Sequence, residues 1–210
     1  METFWSFIVS FWVDGVGIGQ APPAVLGRHQ FERVNRMLHG NLVDYTNNHG
    51  KDRRIYSNAL GQKRDMYVYL PPGYDPAKKY PFAMFLHGAA QDEEFFFQAQ
   101  VDKFDQAIKD GKLDPVILVA PDGSMNGKAS LSKPATFWAN SRAGNFEDYV
   151  MEDVYNFMMA NYSIRPERDF HAILGPSMGG SASFALGIKH RDRFKVAIAF
   201  MPLLNLRYVD

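Results

Sequence analysis

Residues 168–189 read Arg-Asp-Phe-His-Ala-Ile-Leu-Gly-Pro-Ser-Met-Gly-Gly-Ser-Ala-Ser-Phe-Ala-Leu-Gly-Ile-Lys. A short apolar run, His171 to Leu174, stops at Gly175-Pro176-Ser177-Met178-Gly179, and a segment rich in small residues follows. The pattern predicts a strand, a sharp turn and a helix, with a serine at the turn between two glycines. That is the G-x-S-x-G nucleophile elbow. The turn holds Ser177 in a strained backbone conformation, and Gly175 and Gly179 keep side chains out of the crowded space around it. The helix that starts after Ser177 directs free N–H groups and a positive dipole end at the turn. Gly180, Ala182 and Ala185 predict a helix lying close to the sheet. The five-residue pattern alone is common, so its meaning rests on what the rest of the chain supplies around it.

The length of 210 residues suits one domain with a sizeable core. Apolar residues make up 46% and aromatic residues 14%, a folded rather than a disordered composition. The 23 basic and 23 acidic residues balance, which argues against nucleic acid or an anionic membrane surface as the main partner. No cysteine is present, so a cysteine nucleophile, disulfides and thiolate metal sites are excluded. No His-x-x-x-His pair and no phosphate-binding glycine loop occurs, and no metal or other cofactor is expected.

At the N-terminus, Phe4 to Val13 form an apolar run too short to span a bilayer as a helix. Residues 1–20 have a signal-like outline, but Glu2 stands where a positive charge belongs and the cleavage site is loose. Export to the periplasm or medium and retention in the cytoplasm both stay open, as does a segment packed on the domain. Residues 1–40 are expected to form an N-terminal extension, ending in a helix through Phe31, Val34 and Leu38, and residues 41–210 the main domain.

Asn41 to Tyr45, Arg54 to Ser57 and Met66 to Leu70 predict early strands with short connections, an antiparallel start to a sheet. Phe82 to Leu86 and Val116 to Ala120 are unbroken apolar runs of the kind buried on both faces. Between them, Phe97, Val101, Phe104 and Ile108 recur at helical spacing over residues 94–110. Asn145 is placed to cap a helix whose face carries Phe146, Val150, Val154, Phe157 and Met158. The elbow and a last strand, Val196 to Met201, follow. From residue 82 onward strands alternate with helices, which predicts a mostly parallel sheet covered on both faces, an α/β fold.

Tyr69-Leu70-Pro71-Pro72-Gly73-Tyr74-Asp75, Leu86-His87-Gly88, Asp122-Gly123, Phe146-Glu147-Asp148-Tyr149 and Gly175-Pro176-Ser177-Met178-Gly179-Gly180 occur in this order. This set resembles the esterase D and feruloyl-esterase-like branch of the α/β-hydrolases, over about residues 55–201. The resemblance implies a serine carboxylester hydrolase acting on small-molecule or carbohydrate-linked esters, feruloyl or acetyl. It makes Ser177 the nucleophile and assigns the oxyanion hole to the backbone N–H groups of Ala89 and Met178. His87 and Gly88 are candidate pocket residues, although the His87 side chain reads more simply as a pin for its loop. Asp122 and Trp138 lie on loops near the strand ends, where such sheets bind ligands, and are candidate pocket residues. Phe95, Phe96 and Phe97 could wall an acyl pocket or belong to the core. Pro176 departs from the apolar residue usual there.

The resemblance also calls for an acid and a histidine after the serine. The segment after Ser177 holds only His190, at the far end of the elbow helix, where it reads as a solvated residue. His171 begins the elbow strand, and at about 3.3 Å per residue it belongs at the opposite end of the sheet from Ser177. The fold is therefore expected to be incomplete at its C-terminus, with the edge at Val196–Met201 unpaired. An acyltransferase of the same fold and a non-catalytic hydrolase-like module stay open beside the hydrolase, and so does the oligomeric state.

Overall fold

In a computed structural model, which describes residues 28–133 and 135–203, the apolar runs assemble into a six-stranded sheet. The apolar run at residues 4–13 and the signal-like segment lie outside the described residues. Helix α1 (Arg28–Met37) is followed by β1 (Asn41–Tyr45), a hairpin of β2 (Ile55–Ser57) and β3 (Gln62–Arg64), and β4 (Met66–Leu70). Then come β5 (Phe82–Phe85), α2 (Glu94–Ala99), α3 (Val101–Lys109) and β6 (Ile117–Pro121). A small hairpin of β7 (Asn140–Ser141) and β8 (Gly144–Asn145) leads into α4 (Phe146–Asp148), a π-helical stretch (Tyr149–Val154) and α5 (Tyr155–Asn161). The elbow strand β9 (His171–Pro176), helix α6 (Met178–Lys189) and β10 (Val196–Phe200) complete the described fold.

The main sheet runs β1-β4-β6-β5-β9-β10. Strands β1 and β4 are antiparallel, as is β4 to β6, whereas β6, β5, β9 and β10 are mutually parallel. This is the α/β arrangement expected from the alternation of strands and helices. Every residue of β4, β5 and β6 is buried, because the sheet is covered on both faces. One face packs Tyr67, Tyr69, Phe85 and Leu118 against Phe96, Phe104 and α1 through Phe31; the other packs Met84, Val119 and Ile173 against Tyr149, Val154 and Met158. Each large apolar side chain buried this way stabilises the fold by about 1.5–3 kcal/mol. Phe95, Phe96 and Phe97 fall within the first of these cores, which settles them as core residues rather than a pocket wall.

Three local expectations are corrected. The helical run over 94–110 is two helices, broken where Gln100 adopts φ −126° and is buried. Asn145 makes no capping bond; Asn140 does, its Oδ1 accepting the N–H groups of Glu147 (3.1 Å) and Asp148 (3.2 Å). On α6, Ala185 is exposed, and the tight contacts with β10 fall to Gly180, against the Phe200 backbone, and to Gly187, where a Cβ would collide with that of Ala197.

Candidate active site

Ser177 sits between β9 and α6 with φ 52° and ψ −116°. A positive φ is uncommon for a residue with a Cβ and costs on the order of 1–3 kcal/mol. The surroundings hold it there. The Ser177 N–H donates to the Phe200 carbonyl at 2.8 Å, and its own carbonyl accepts the Ser181 N–H at 2.9 Å. The flanking glycines act differently from a simple turn requirement. A Cβ at Gly175 or Gly179 would fall on the Leu86 carbonyl, and one at Gly179 would also lie 2.8 Å from the His87 carbonyl. The two glycines thus let the elbow press against the backbone that leads into the His87-Gly88 loop.

That loop is fixed residue by residue. The Gly88 N–H donates to Gln91 Oε1 at 2.8 Å, so this amide is consumed. Ala90 follows at φ 58°. The Ala89 N–H has no hydrogen-bond partner among the described residues. Met178 opens α6, where the first N–H groups of a helix have no intrahelical acceptor. Ala89 and Met178 both line a cavity of about 210 Å³, together with Gly123 and Thr136. Gly88 lies close by: a Cβ there would come 3.6 Å from the Ser177 Cβ.

His87 pins the loop from below. Its Nδ1 can only donate to the Gly88 carbonyl (2.8 Å), and its Nε2 can only accept the Gly123 N–H (2.8 Å). Together these fix a neutral ring protonated at Nδ1. Burial pushes its pKa down to about 4. Its Nε2 also lies 3.8 Å from Asp122 Oδ1, but a neutral, accepting nitrogen makes no ion pair there.

Asp122 and Trp138, candidate pocket residues from the sequence, are both fully buried and do not line the cavity. They stand behind its lining, Trp138 packed on Gly123 and His87. Arg64 Nη2 meets Asp122 Oδ2 at 2.7 Å and donates to the carbonyls of Asp122 and Ser124. Burial raises Asp122 to about 6, with Arg64 opposing the rise, so the carboxylate is ionised at neutral pH. Phe137 and Trp138 take positive φ values of 52° and 55°, which turns the indole onto Gly123; a Cβ at Gly123 would strike the ring. The Trp138 ring also meets His87 edge-on at 4.9 Å between centroids, and its Nε1 donates to the His87 carbonyl at 3.3 Å.

The other histidines are committed elsewhere. His171 Nδ1 lies 3.0 Å from Tyr155 Oη and its Nε2 donates to the Arg165 carbonyl at 2.6 Å, at the start of β9. His190 is not simply solvated: its Nε2 pairs with Glu147 Oε1 at 2.8 Å, beside Lys189. His39 pairs with Asp105 and His49 with the Tyr67 hydroxyl. Among the described residues, His87 is the one histidine on the cavity, and both its nitrogens are engaged. Sequence reading missed Gln91, which fixes Gly88, and the cavity-lining residues Met125, Lys128, Ser130, Leu131 and Lys133, because that loop carries no periodicity.

A family model described as "Putative esterase" matches residues 57–209. The chain is similar to endo-1,4-beta-xylanase Y of Acetivibrio thermocellus, with 30% identity over 72% of the chain and 14% of that protein. It is 25% identical to the S-formylglutathione hydrolase of Arabidopsis thaliana, over 75% of the chain and 58% of that protein. Among solved structures, a ferulic acid esterase from the anaerobic fungus Anaeromyces mucronatus superposes with a TM-score of 0.60 at 26% identity, covering 78% of this chain and 58% of the other. The chain thus spans well under two thirds of the length of these relatives.

Proposed function

The chain belongs to this esterase family, and from that premise we propose that it carries the nucleophile and oxyanion hole of a serine carboxylester hydrolase. The single observation that carries the reading is Ser177 at a strained strand-to-helix junction, beside a cavity lined by both Ala89 and Met178. In the reaction, Ser177 Oγ attacks the ester carbonyl and the carbonyl oxygen gains negative charge. The N–H groups of Ala89 and Met178 stabilise that charge, one such donor contributing about 2.7–4 kcal/mol. The ester C–O bond then breaks, the alcohol leaves with a proton, and an acyl group remains on Ser177. Water attacks the acyl carbon, releases the acid and restores the serine. The reading takes small acyl or carbohydrate-linked esters, feruloyl or acetyl, as the substrate class; the ferulic acid esterase relative supports the feruloyl part and the S-formylglutathione hydrolase relative a small acyl group.

His87 does not act as the base in this reading, because accepting the serine proton would require Nε2 to abandon Gly123. A serine without a general base stays protonated and attacks slowly. This observation also favours a second reading, a hydrolase-like module without turnover. Hydrolysis of p-nitrophenyl acetate by the chain and by its Ser177→Ala form separates the two. The hydrolase reading expects a slow rate that disappears in Ser177→Ala; equal rates in the two would overturn it. A fast Ser177-dependent rate that His87→Gln abolishes would overturn the pinning role given to His87.

A further inference from the structure

The rim of the cavity beside Ser177 is built by residues 125–133 with Ala135 and Thr136, and its charged lining residues are both basic. Lys128 and Lys133 line the cavity, and among the described residues no acidic residue does. Neither lysine has an ion-pair or hydrogen-bond partner among the described residues. Asp92 and Asp122 stand beside this loop, but neither is among the residues that line the cavity. Asp92 Oδ2 accepts the Ala129 N–H at 2.8 Å, and Asp122 Oδ1 accepts the Ser124 N–H at 2.7 Å. The Ala129 bond and that of Thr136 Oγ1 to the Gly123 carbonyl (2.8 Å) tie the rim at two points, and the Ser124 bond fixes the residue that leads into it. The lysines therefore stand on an anchored loop over the cavity. Met125, Leu131 and Ala135 add apolar surface between them.

We propose that this cavity selects a carboxylate-bearing ester, one whose end remote from the scissile bond is anionic. The apolar lining would take the short carbon chain, and Lys128 and Lys133 the remote carboxylate. The inference rests on reading the cavity as the ester site. Exposed lysines contribute modestly each, so the expected preference is about fivefold or more for two acting together. Being exposed, their contribution is screened by salt.

The test uses two esters of matched length, monomethyl glutarate and methyl pentanoate, titrated into the Ser177→Ala chain by NMR at low salt. The glutarate ester is expected to bind at least about fivefold more tightly, with amide shifts concentrated in residues 125–136. The preference should vanish in Lys128→Gln/Lys133→Gln and at about 0.5 M salt, and persist in Lys128→Arg/Lys133→Arg. Equal affinity, a preference that survives the double glutamine substitution, or no saturable glutarate binding would overturn the proposal. Binding to Ser177→Ala needs no turnover, so its failure leaves the hydrolase reading standing. A Ser177 inert to fluorophosphonates would defeat that reading and leave the anion preference still measurable.

Discussion

Both ring nitrogens of His87 are bonded to backbone, and this makes the residue a proton-refusing strut between two loops. Protonating Nε2 would set a donor against the Gly123 N–H inside a buried site. The folded pKa of about 4 lies below the ordinary histidine value of 6.5. The unfolded chain therefore takes up a proton below pH 6.5 that the folded chain refuses. The His87 contribution to stability is fully present above pH 6.5 and is lost as pH falls towards 4, by roughly 3 kcal/mol. Asp65 and Asp122 act in the opposite sense: burial raises each from 3.8 to about 6, so their contribution is lost as pH rises across that interval. A bulk denaturation profile mixes these effects, and an NMR titration of the His87 ring isolates one. It should show an Nδ1-protonated neutral ring titrating near pH 4; a midpoint near 6.5 or an Nε2-protonated ring would contradict the pinning role. Residues whose role follows from backbone demands were legible in the sequence, namely Ser177, Gly175 and Gly179. Asp122 and Trp138 were placed near the right loops but on the wrong side of the wall. Position after a strand does not say whether a side chain faces the cavity or the core.

Element ends show the same division. The parallel strands are readable because unbroken apolar runs such as Ile117 to Pro121 have few alternatives to burial between two layers. Caps depend on tertiary approach, and here the β7–β8 hairpin brings Asn140 over the start of α4. Its Nδ2 also donates to Asp148 Oδ1 at 2.8 Å. Asn140→Ala should cost about 1 kcal/mol in urea denaturation, whereas Asn145→Ala should leave the midpoint nearly unchanged. The reverse ranking would return the cap to Asn145. The break at Gln100 was likewise invisible, since the apolar spacing of Phe97, Val101, Phe104 and Ile108 continues across it.

Across the molecule, the cavity is assembled from three segments far apart in sequence: the loop after β5, the loop after β6 and the elbow after β9. All three follow parallel strands, so the sheet alone brings their ends together. That convergence was legible from the order of the motifs; the lysine-bearing rim was not. At the other side of the sheet, β10 forms the edge and its residues are at most half-buried, while Phe184 and Ile188 of α6 are exposed at 46% and 59%. The elbow is nevertheless held from the β10 side by the Phe200 carbonyl, so Ser177 is presented by contacts already within the described residues. The claim that matters most is that Ser177 is the reacting group. It is tested by incubating the chain with an alkyl fluorophosphonate and mapping the adduct by peptide mass spectrometry, beside the Ser177→Ala form. The account predicts a single phosphonyl group, on Ser177, absent from Ser177→Ala. A Ser177 left unmodified even after prolonged incubation with excess reagent, or equal labelling of both forms, would contradict it.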